Sequence, residues 1–304
     1  MTVEPPLEGL VVTTYRHRQE IRLPDGNTVP TRVKGRRLRP VCGDKVSVEP
    51  LPNESEWLLT GILQRRNQLT RPNMRGETEI LAANLTLLVA VAADPPKPDW
   101  FIVDRYLCAA EIMGIKAAVI YNKADLAIDS EAPAKILDEY ARIGYPALAT
   151  SASTGHNMDA LATLFSGEIA IVVGQSGVGK SSIINKLLNK PQQRVATVSR
   201  ASGEGKHTTV NSSMLSLPGG GAVIDSPGVR DFAPAIESLD QVVCGFKEIL
   251  STGQTCRFAN CRHLREPGCA VKMAVDSATI SARRYESYKR LYRLTDELAQ
   301  TRRG

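Results

Sequence analysis

The sequence predicts an α/β protein whose parallel β-sheet has helices on both faces, with a small β-domain before it and a cysteine-containing helical region after it. Apolar runs of strand length alternate with helical patterns from about residue 70, as in βαβ units. Short β-like runs fill the first part of the chain, and three of six cysteines lie within 256–269. One core rarely serves more than about 250 residues, and this chain has 304. We therefore expect three domains, 1–67, 68–240 and 241–304.

The composition is that of an ordinary globular protein with a basic surface. Hydrophobic residues make up 42% of the chain and charged residues 23%, and the formal net charge of +6 suits a polyanionic partner without identifying one. No run of eighteen apolar residues suggests a membrane span, and the N-terminal MTVEPPLEGL lacks the pattern of a secretory signal. The crowded cysteines are more typical of metal binding in a reducing cytosol than of disulfides. We expect a monomer in the cytoplasm, with no membrane contact.

The first domain contains β-like runs at 10–15, 44–50 and 57–63, separated by Gly, Pro, Asp and Asn. This spacing predicts a small barrel or sandwich. Between the first two runs lies the basic stretch TRVKGRRLRP (31–40). Two interpretations stay open for it: a solvated loop, or an RNA-facing loop on a barrel of the OB type. Its cationic residues are Arg32, Lys34, Arg36, Arg37 and Arg39.

NKAD (122–125) follows the apolar strand AAVIY and carries the chemistry for reading a base. A carboxylate at Asp125 can accept from both N1–H and the exocyclic amino group of guanine, whereas adenine offers neither donor there. We expect Asn122 to brace the neighbouring loops and the Lys123 stem to cover the base. The next predicted strand ends in Ser151 and Ala152, which could offer a backbone N–H to guanine O6. The pattern favours GTP over ATP.

GQSGVGKS (174–181) lies between an apolar strand and an amphipathic helix and fits G-x-x-x-x-G-K-[ST]. Its backbone N–H groups can surround phosphates, and the helix presents its positive N-terminus to the same charge. We expect Lys180 to reach the β- and γ-phosphates and the Ser181 hydroxyl to ligate Mg²⁺. The predicted phosphate-binding residues are Gly174, Gln175, Ser176, Gly177, Val178, Gly179, Lys180, Ser181 and Ser182.

Two later segments complete a Mg²⁺-dependent phosphate site. SGEGKHTTV (202–210) has the polar composition of a mobile first switch, in which Thr208 or Thr209, preferably Thr209, is the candidate Mg²⁺ ligand. VIDSPG (223–228) ends another apolar strand, so Asp225 can hold Mg²⁺ through water and the Gly228 N–H can meet the γ-phosphate.

The residue after DSPG is Val229, where many GTPases carry a water-orienting glutamine. His207 is the candidate to position the attacking water, although a solvated histidine stays an open interpretation. We expect slow intrinsic hydrolysis that a partner raises. The predicted catalytic residues are thus His207, Lys180, Thr208 and Thr209, and the predicted Mg²⁺ ligands are Ser181, Thr209 and Asp225.

The order of these motifs predicts a circular permutation. In an ordinary GTPase the phosphate loop comes first and the guanine motifs last, but here NKAD and Ser151–Ala152 precede the phosphate loop, the switch threonines and DSPG. A permutation keeps the sheet and its site while it moves the termini. It also connects the DSPG strand directly to the cysteine region, so that region can respond to nucleotide state.

CRFANCRHLREPGC (256–269) supplies three sulfurs and one imidazole nitrogen, a set suited to tetrahedral zinc. Four protein ligands leave no open position, so we predict one structural zinc per chain. The ligands are Cys256, Cys261, His263 and Cys269. Cys42, Cys108 and Cys244 are expected to be ordinary core cysteines.

The chain closes with a predicted basic helix at 281–300. Its Tyr285, Tyr288 and Tyr292 recur on one helical face. Packing against the domain is favoured for these tyrosines over stacking on bases.

Taken in order, NKAD, GQSGVGKS, KHTT, DSPGVR and the C-x4-C-x-H-x5-C element resemble the circularly permuted small ribosomal subunit biogenesis GTPases of the RsgA family. The resemblance implies an N-terminal OB-fold β-barrel, a permuted P-loop GTPase domain and a C-terminal zinc-binding helical domain. It further implies binding to the 30S subunit and its 16S rRNA, late maturation of that subunit, and GTP hydrolysis to GDP and phosphate that the subunit stimulates.

Two other functions remain possible at this stage. One is a GTP-gated RNA-binding checkpoint in which hydrolysis only times release. The other is a GTPase with a non-ribosomal target, whose basic segments are merely solvated.

Overall fold

The architecture is that of a computed structural model, which describes residues 6–15, 18–35, 37–72, 78–127, 131–189, 210–226, 236 and 238–301. Three of the predicted functional segments lie wholly or partly outside these ranges. Arg36 of the basic stretch, positions 202–209 of the predicted first switch and positions 227–228 of DSPG lie outside the described residues.

The first five strands form a closed barrel. They are β1 (Leu7–Tyr15), β2 (Gln19–Arg22), β3 (Thr28–Val33), β4 (Lys45–Pro50) and β5 (Trp57–Ile62). Their order is β1-β2-β3-β5-β4, and β4 pairs again with β1 to close the barrel. Val11, Ile21 and Leu59 are fully buried in its interior. β1, β4 and β5 match the predicted β-like runs, whereas β2 and β3 are too short and too polar to stand out in the sequence.

A two-stranded hairpin, β6 (Gln68–Pro72) and β7 (Thr78–Ala83), follows the barrel. These positions lie at the start of the predicted 68–240 domain and form a sheet of their own. Asn67 fixes the base of the hairpin, because its side chain accepts from the Leu85 N–H and donates to the Leu85 carbonyl, each at 2.9 Å.

The central α/β domain is a sheet in the order β10-β9-β8-β11-β13-β12. All neighbours are parallel except β12 and β13. The strands are β8 (Leu87–Ala93), β9 (Lys116–Asn122), β10 (Ala147–Ala149), β11 (Ile169–Gly174), β12 (Val210–Ser216) and β13 (Ala222–Asp225). The helices are α1 (Trp100–Met113), α2 (Glu131–Ile143), α3 (Met158–Phe165) and α4 (Lys180–Leu187).

Each face of this sheet carries its own apolar core. One core includes Leu88 of β8 together with Tyr106 of α1 and Tyr140 of α2. The other includes Phe165 of α3 and Ile183 of α4. Helices therefore cover both faces, as the alternating pattern predicts, and the carboxyl ends of the parallel strands stay open for a ligand.

The barrel and the α/β sheet share a strand pair. β1 pairs antiparallel with β12, with Thr13 opposite Ser213 and Thr14 opposite Ser212, so one sheet of eleven strands runs through both. No local pattern in the sequence predicts this junction. It connects the barrel to the strand that directly follows the predicted first switch.

The C-terminal region is helical: α5 (Leu239–Cys244), α6 (Lys247–Gly253), α7 (Ala270–Asp276) and α8 (Ala282–Thr301). Tyr285, Tyr288 and Tyr292 of α8 are all buried, at 9%, 0% and 9% exposure, so the prediction that they pack inward is confirmed. In the described part of the chain, no helix combines the length and apolar composition that crossing a membrane requires.

One expectation about the remaining cysteines is wrong. Cys42 and Cys108 are buried, but Cys244 is exposed. Cys244 is the last residue of α5, and at the end of this short helix its side chain lies outside the core.

A buried ionic cluster joins the C-terminal helices to the α/β domain. The Arg284 guanidinium, fully buried in α8, donates to both Glu248 oxygens (2.8 and 3.0 Å) and to Asp104 of α1 (2.9 Å). Arg283 donates to the other Asp104 oxygen at 2.9 Å, and the Tyr140 hydroxyl donates to Asp104 at 2.7 Å. Every charge in this largely buried contact has an opposite partner, as buried charges require.

Candidate nucleotide site and metal centre

The glycine loop between β11 and α4 has the backbone shape of a phosphate cradle. Gly174, Gly177 and Gly179 have φ angles of 142°, 81° and 90°, conformations that glycine adopts at little cost. A Cβ at Gly179 would clash with the Asn122 side chain. α4 begins at Lys180, so the N–H groups and the dipole of its first turn face the loop and favour an anion there.

Lys180 is held at this loop by the loop itself. The residue is 9% exposed, and its Nζ donates to the carbonyl oxygens of Gly174 at 2.6 Å and Gln175 at 2.7 Å. The ammonium group is therefore already oriented and largely dehydrated, which strengthens its attraction to a phosphate. Ser181 and Ser182 lie exposed in the first turn of α4.

Asp225 lies at the same edge of the sheet as the glycine loop. It is the last residue of β13, and β13 runs parallel to β11 with Ile224 opposite Ile171. The two strands thus bring the Asp225 carboxylate and the Ser181 hydroxyl to one end of the sheet. Oxygen ligands of this kind are those that Mg²⁺ takes beside bound phosphates.

A loop that carries no recognisable motif packs against the phosphate loop. It spans 94–99, after β8, and the Asp99 N–H donates to the Gln175 side-chain oxygen at 2.8 Å. The Lys123 Nζ donates to the Pro95 carbonyl at 2.8 Å, and the Pro96 ring lies beside Gly177. The only available signal was its position after a strand of the parallel sheet, where ligand-site loops occur.

Asn122 connects the base end of the site to the phosphate end. The residue is 2% exposed, and its Nδ2 donates to the Val178 carbonyl of the phosphate loop at 2.9 Å. Its Oδ1 accepts from the Ala152 N–H at 3.2 Å and from the Thr150 hydroxyl at 3.4 Å. One buried amide thus holds three segments that are distant in sequence.

Asp125 lies exposed beyond Asn122, in a 3-10 turn, Ala124–Leu126. The Ser153 hydroxyl donates to its Oδ2 at 3.0 Å. Hydrogen bonding by the Ser151 hydroxyl, and then by that of Ser153, holds the pKa of Asp125 below its usual value. The carboxylate is therefore an acceptor at neutral pH, as the recognition of two guanine N–H donors requires.

Four predicted site residues cannot be placed in this geometry. His207, Thr208, Thr209 and Gly228 lie outside the described residues. The predicted nucleotide-site residues that the structure does describe all lie at the carboxyl ends of β9, β10, β11 and β13, which are close together in the sheet. They define one candidate nucleotide site, which extends from Asp125 to the glycine loop.

The cysteine region brings together a second candidate site, a metal centre. The ligand atoms of Cys256, Cys261, His263 and Cys269 all lie within 4.8 Å of one another. The Cys256 and Cys269 sulfurs are 3.9 Å apart, and each is 3.5 Å from His263 Nδ1. A tetrahedral ion with metal–sulfur bonds of about 2.3 Å separates its ligands by roughly 3.8 Å. These four residues could therefore hold one metal ion.

Neighbouring groups orient these ligands. Burial raises the pKa of the Cys256 thiol, but the N–H groups of Val271 and Ala270 at the start of α7 outweigh it and lower the pKa. The Tyr285 hydroxyl donates to the His263 carbonyl. A Cβ at Gly253 would clash with the His263 ring, so glycine there leaves room for the imidazole.

The Glu266 carboxylate anchors the loop between the last two ligands. Burial opposes its charge, but its oxygens accept from the N–H groups of Arg262, Leu264 and Arg265 at 2.8 to 3.0 Å. These backbone bonds lower the pKa of Glu266 to about 2. Orientation of ligands by surrounding hydrogen bonds is a general property of metal sites.

A doubly wound sheet with a GKS loop, a strand ending in Asp225 and an Asn122–Asp125 motif that precedes both in the chain defines a circularly permuted P-loop GTPase. The sequence comparisons identify the family. The model of the RsgA GTPase family matches residues 62–234, and the chain belongs to this family. It is accordingly a hydrolase that acts on GTP.

Curated relatives from two genera support this assignment. One from Pseudomonas fluorescens is 40% identical over 291 residues, which cover 94% of this chain and 84% of the relative. One from Azotobacter vinelandii is 39% identical over 293 residues, covering 94% and 85%. Both are named Small ribosomal subunit biogenesis GTPase RsgA.

Solved structures agree on the fold. YjeQ from Thermotoga maritima matches with a TM-score of 0.74 at 27% identity, over 95% of this chain and 98% of its own. YloQ, described as a circularly permuted GTPase, matches with a TM-score of 0.73 over 97% of this chain and 96% of its own. At 23% identity that second likeness speaks for the fold alone. The predicted fold class and the permutation are confirmed.

Proposed function

We propose that this GTPase binds the small (30S) ribosomal subunit and assists its late maturation, hydrolysing GTP to GDP and phosphate with stimulation by the subunit. The observation that carries the proposal is the 40% identity over 94% of the chain to a relative named for small-subunit biogenesis. The likeness runs through the barrel, the α/β domain and the cysteine region. The complete arrangement is therefore shared, and not the GTPase domain alone.

The base end of the site selects guanine. Asp125 accepts from N1–H and from the exocyclic amino group, the Lys123 stem covers the base, and an N–H of the Ser151–Ala152 segment donates to guanine O6. Adenine would leave the carboxylate without donors, and an unmatched polar group in a site costs about 1–3 kcal/mol. Asn122 keeps these segments in register with the phosphate loop through its bond to the Val178 carbonyl.

The phosphate end binds and orients the triphosphate. The loop N–H groups and Lys180 hold the phosphates, and the residues that would hold Mg²⁺ are Ser181, Asp225 through water, and Thr209. When bound, Mg²⁺ neutralises charge that develops on the phosphate oxygens. Gly228 offers its N–H to the γ-phosphate, and His207 positions the attacking water, since Val229 cannot.

Steady-state phosphate release tests the reaction and the partner together. GTP hydrolysis by the purified protein should rise strongly on addition of purified 30S subunits and not with 50S subunits, and ATP should not replace GTP. His207→Ala should lower the stimulated rate. A slow rate that is indifferent to 30S subunits would remove the ribosome from the mechanism of hydrolysis.

The same variant tests the checkpoint alternative. The pairing of β1 with β12 favours it, since the barrel is connected to the strand after the predicted first switch. If His207→Ala protein hydrolyses GTP slowly yet still binds and matures subunits, nucleotide gates attachment and hydrolysis only times release. If maturation fails together with hydrolysis, turnover itself is required.

We further propose that the barrel contacts 16S rRNA through its basic stretch. Lys34, Arg37 and Arg39 are exposed there, on and beside a barrel surface of the kind that binds nucleic acid. Each phosphate contact makes affinity more salt-dependent. Arg37→Ala should lower the slope of log affinity against log salt by about 1, whereas Arg142→Ala, an exposed arginine of α2, should leave it unchanged. Equal slopes for Arg37→Ala and wild type would remove this residue from the RNA contact.

The metal in the cysteine centre is zinc in this proposal. Three thiolates and one imidazole are a structural zinc set, and the absence of a free ligand position gives the ion no catalytic role. Purified protein should contain one zinc per chain by elemental analysis, and Cys261→Ser should lose it while Cys244→Ser keeps it. Retention of zinc by Cys261→Ser would contradict this ligand set.

We place the protein in the cytoplasm as a monomer. The 30S subunits on which it is proposed to act mature there. Analytical ultracentrifugation with and without GTP should give the mass of one 33.0 kDa chain, and a stable dimer would contradict it.

A further inference from the structure

We propose that Ser153 is a specificity-determining positioning residue: its hydroxyl fixes the plane of the Asp125 carboxylate so that both oxygens can accept from guanine at once. This inference rests on the proposed role of Asp125 in reading the base. Ser153 lies directly after the predicted Ser151–Ala152 pair. Neither the pattern of the motifs nor the reaction itself assigns it a role.

The side chains form a continuous hydrogen-bonded chain that ends at Asp125. The Thr154 N–H donates to Ser151 Oγ at 3.1 Å. Ser151 Oγ lies 2.9 Å from Ser153 Oγ, and Ser153 Oγ donates to Asp125 Oδ2 at 3.0 Å. A backbone N–H at one end and a carboxylate at the other fix the two serine hydroxyls between them.

Proton counting sets the direction of this chain. An ionised carboxylate only accepts, so the proton in the contact with Asp125 belongs to Ser153. Ser153 has no second proton, so it accepts in its contact with Ser151. The Ser151 hydroxyl, which also hydrogen-bonds Asp125, directs its single proton toward both groups. Each hydroxyl that donates while it accepts is polarised, which strengthens the next bond. The bond from Ser153 to Asp125 is therefore directed by its neighbours as well as by its own geometry.

The Ser151 end of this series of hydrogen bonds is held rigidly by the backbone. Ser151 is fully buried, its N–H donates to the His156 carbonyl at 3.1 Å, and its carbonyl accepts from the Gly155 N–H at 2.8 Å. The neighbouring Ala152 N–H is bound to Asn122 at 3.2 Å. Asp125 lies on a different and exposed turn. A hydrogen bond from a hydroxyl on the fixed segment therefore restricts the rotation of the Asp125 carboxylate.

A fixed orientation of the Asp125 carboxylate contributes more to the binding of guanine than to the binding of a base with one N–H donor fewer. The terminal torsion of aspartate is broad and roughly two-fold, and an exposed carboxylate samples it freely. Guanine offers N1–H and an amino group in one plane, so both carboxylate oxygens must lie in that plane. Hypoxanthine, the base of ITP, lacks the amino group and requires only one oxygen. Oδ2 has two acceptor positions, so the bond from Ser153 leaves one for the base.

The test is a comparison of dissociation constants for GTP and ITP, measured by calorimetry with non-hydrolysable analogues. Ser153→Ala should weaken the binding of GTP more than the binding of ITP, so the ratio of their affinities should fall by about fivefold. Ser153→Thr, which keeps the hydroxyl, should retain the wild-type preference. Ser166→Ala is the matched control, since Ser166 follows α3 at the amino end of the sheet, and its preference should also be unchanged. A structural role alone would shift GTP and ITP equally.

Failure of this inference is distinguishable from failure of the proposed base site. If Asp125→Asn shifts preference from GTP to XTP while Ser153→Ala keeps the wild-type GTP-to-ITP ratio, Asp125 reads the base and Ser153 does not position it. If Asp125→Asn still prefers GTP, the base site itself is misassigned. A parallel fall in both affinities in Ser153→Ala, with an unchanged ratio, also overturns the proposal.

Discussion

Three thiols lie outside the metal-ligand set, and their surroundings give them different reactivity. Burial raises the pKa of Cys42 to about 12 and that of Cys108 to about 12, whereas Cys244 is exposed. The thiolate is the nucleophile, and at pH 8 only about one in 10,000 thiols with a pKa of 12 is ionised. The two buried cysteines are therefore protected by chemistry as well as by access.

Alkylation should reveal this difference directly. Iodoacetamide at pH 8 should modify Cys244 of the native, metal-loaded protein and leave Cys42 and Cys108 unmodified, as read by mass spectrometry of peptides. In denaturant all three should react at similar rates. Native-state modification of Cys42 or Cys108 as fast as that of Cys244 would contradict the burial described here.

Replacement of Asn122 should disturb both ends of the candidate nucleotide site. It is nearly fully buried, and Asn122→Ala would leave the Val178 carbonyl and the Ala152 N–H without the amide that they bind. We expect the free energy of unfolding to fall by about 1–3 kcal/mol, measured by urea denaturation, together with weaker GTP binding. Asn27→Ala, at an exposed turn, should change stability by less than about 0.5 kcal/mol. Equal stability of Asn122→Ala and wild type would show that these bonds contribute nothing.

At the scale of elements, the N-terminus of α1 contacts the phosphate loop. Its N-cap is Asp99, whose side chain accepts from the N–H groups of Phe101 and Ile102, while its own N–H donates to Gln175. Asp99 therefore stabilises the start of the helix and fixes the 94–99 loop against the candidate nucleotide site.

Asp99→Ala should lower the free energy of unfolding by about 1 kcal/mol, the usual contribution of such a cap. Asp99→Asn preserves an acceptor at the cap and should recover most of the loss. Urea unfolding of the three proteins decides the point. If the alanine and asparagine variants are equally destabilised, the loss comes from the charge and not from the cap bond.

Elements with strong periodicity were predictable from the sequence. The apolar strands β8 and β11 and the long helix α8 follow from local pattern alone, because their hydrophobic spacing has one structural solution. β2 and β3 were not predicted, since they are short and become strands only through partners in the barrel. The pairing of β1 with β12 has no local signal, because it joins segments about two hundred residues apart.

The candidate site divides in the same way. Its motifs name Asp125, Lys180 and the four metal ligands, because phosphate, guanine and metal each demand particular atoms at particular spacings. The contacts from Asp99 to Gln175 and from Ser153 to Asp125 depend on which loops the sheet places side by side. That information lies in the fold and not in any local pattern.

At the scale of the whole molecule, the C-terminal helices are fixed to the α/β domain by charge. Arg284 bridges Glu248 of α6 and Asp104 of α1, and neither the Arg284 nor the Asp104 side chain is exposed to solvent. Removing one member of such a cluster leaves its partner charged and dehydrated.

Arg284→Ala should therefore lower the free energy of unfolding by about 3–5 kcal/mol. Arg293→Ala, at an exposed arginine of the same helix, should stay within about 0.5 kcal/mol of wild type. Chemical denaturation of both variants measures the difference. Equal stabilities would mean that the buried cluster is energetically neutral and that apolar contacts alone hold α8 in place.

The permutation gives the molecule its plan. The barrel meets one edge strand of the nucleotide-binding sheet, and the metal centre belongs to helices that follow the Asp225 strand. Both flanking regions are thus attached beside the predicted phosphate-binding segments. We expect the nucleotide bound at the candidate site between them to affect how the proposed ribosomal partner is engaged.

The decisive measurement of base recognition is nucleotide hydrolysis by Asp125→Asn protein with purified 30S subunits. Exchange of the carboxylate for an amide reverses the hydrogen-bonding pattern at the base, so GTP hydrolysis should fall to background. XTP hydrolysis should appear and be stimulated by the subunit. Stimulated GTP hydrolysis that survives the exchange would contradict the account, because the base would then be read elsewhere.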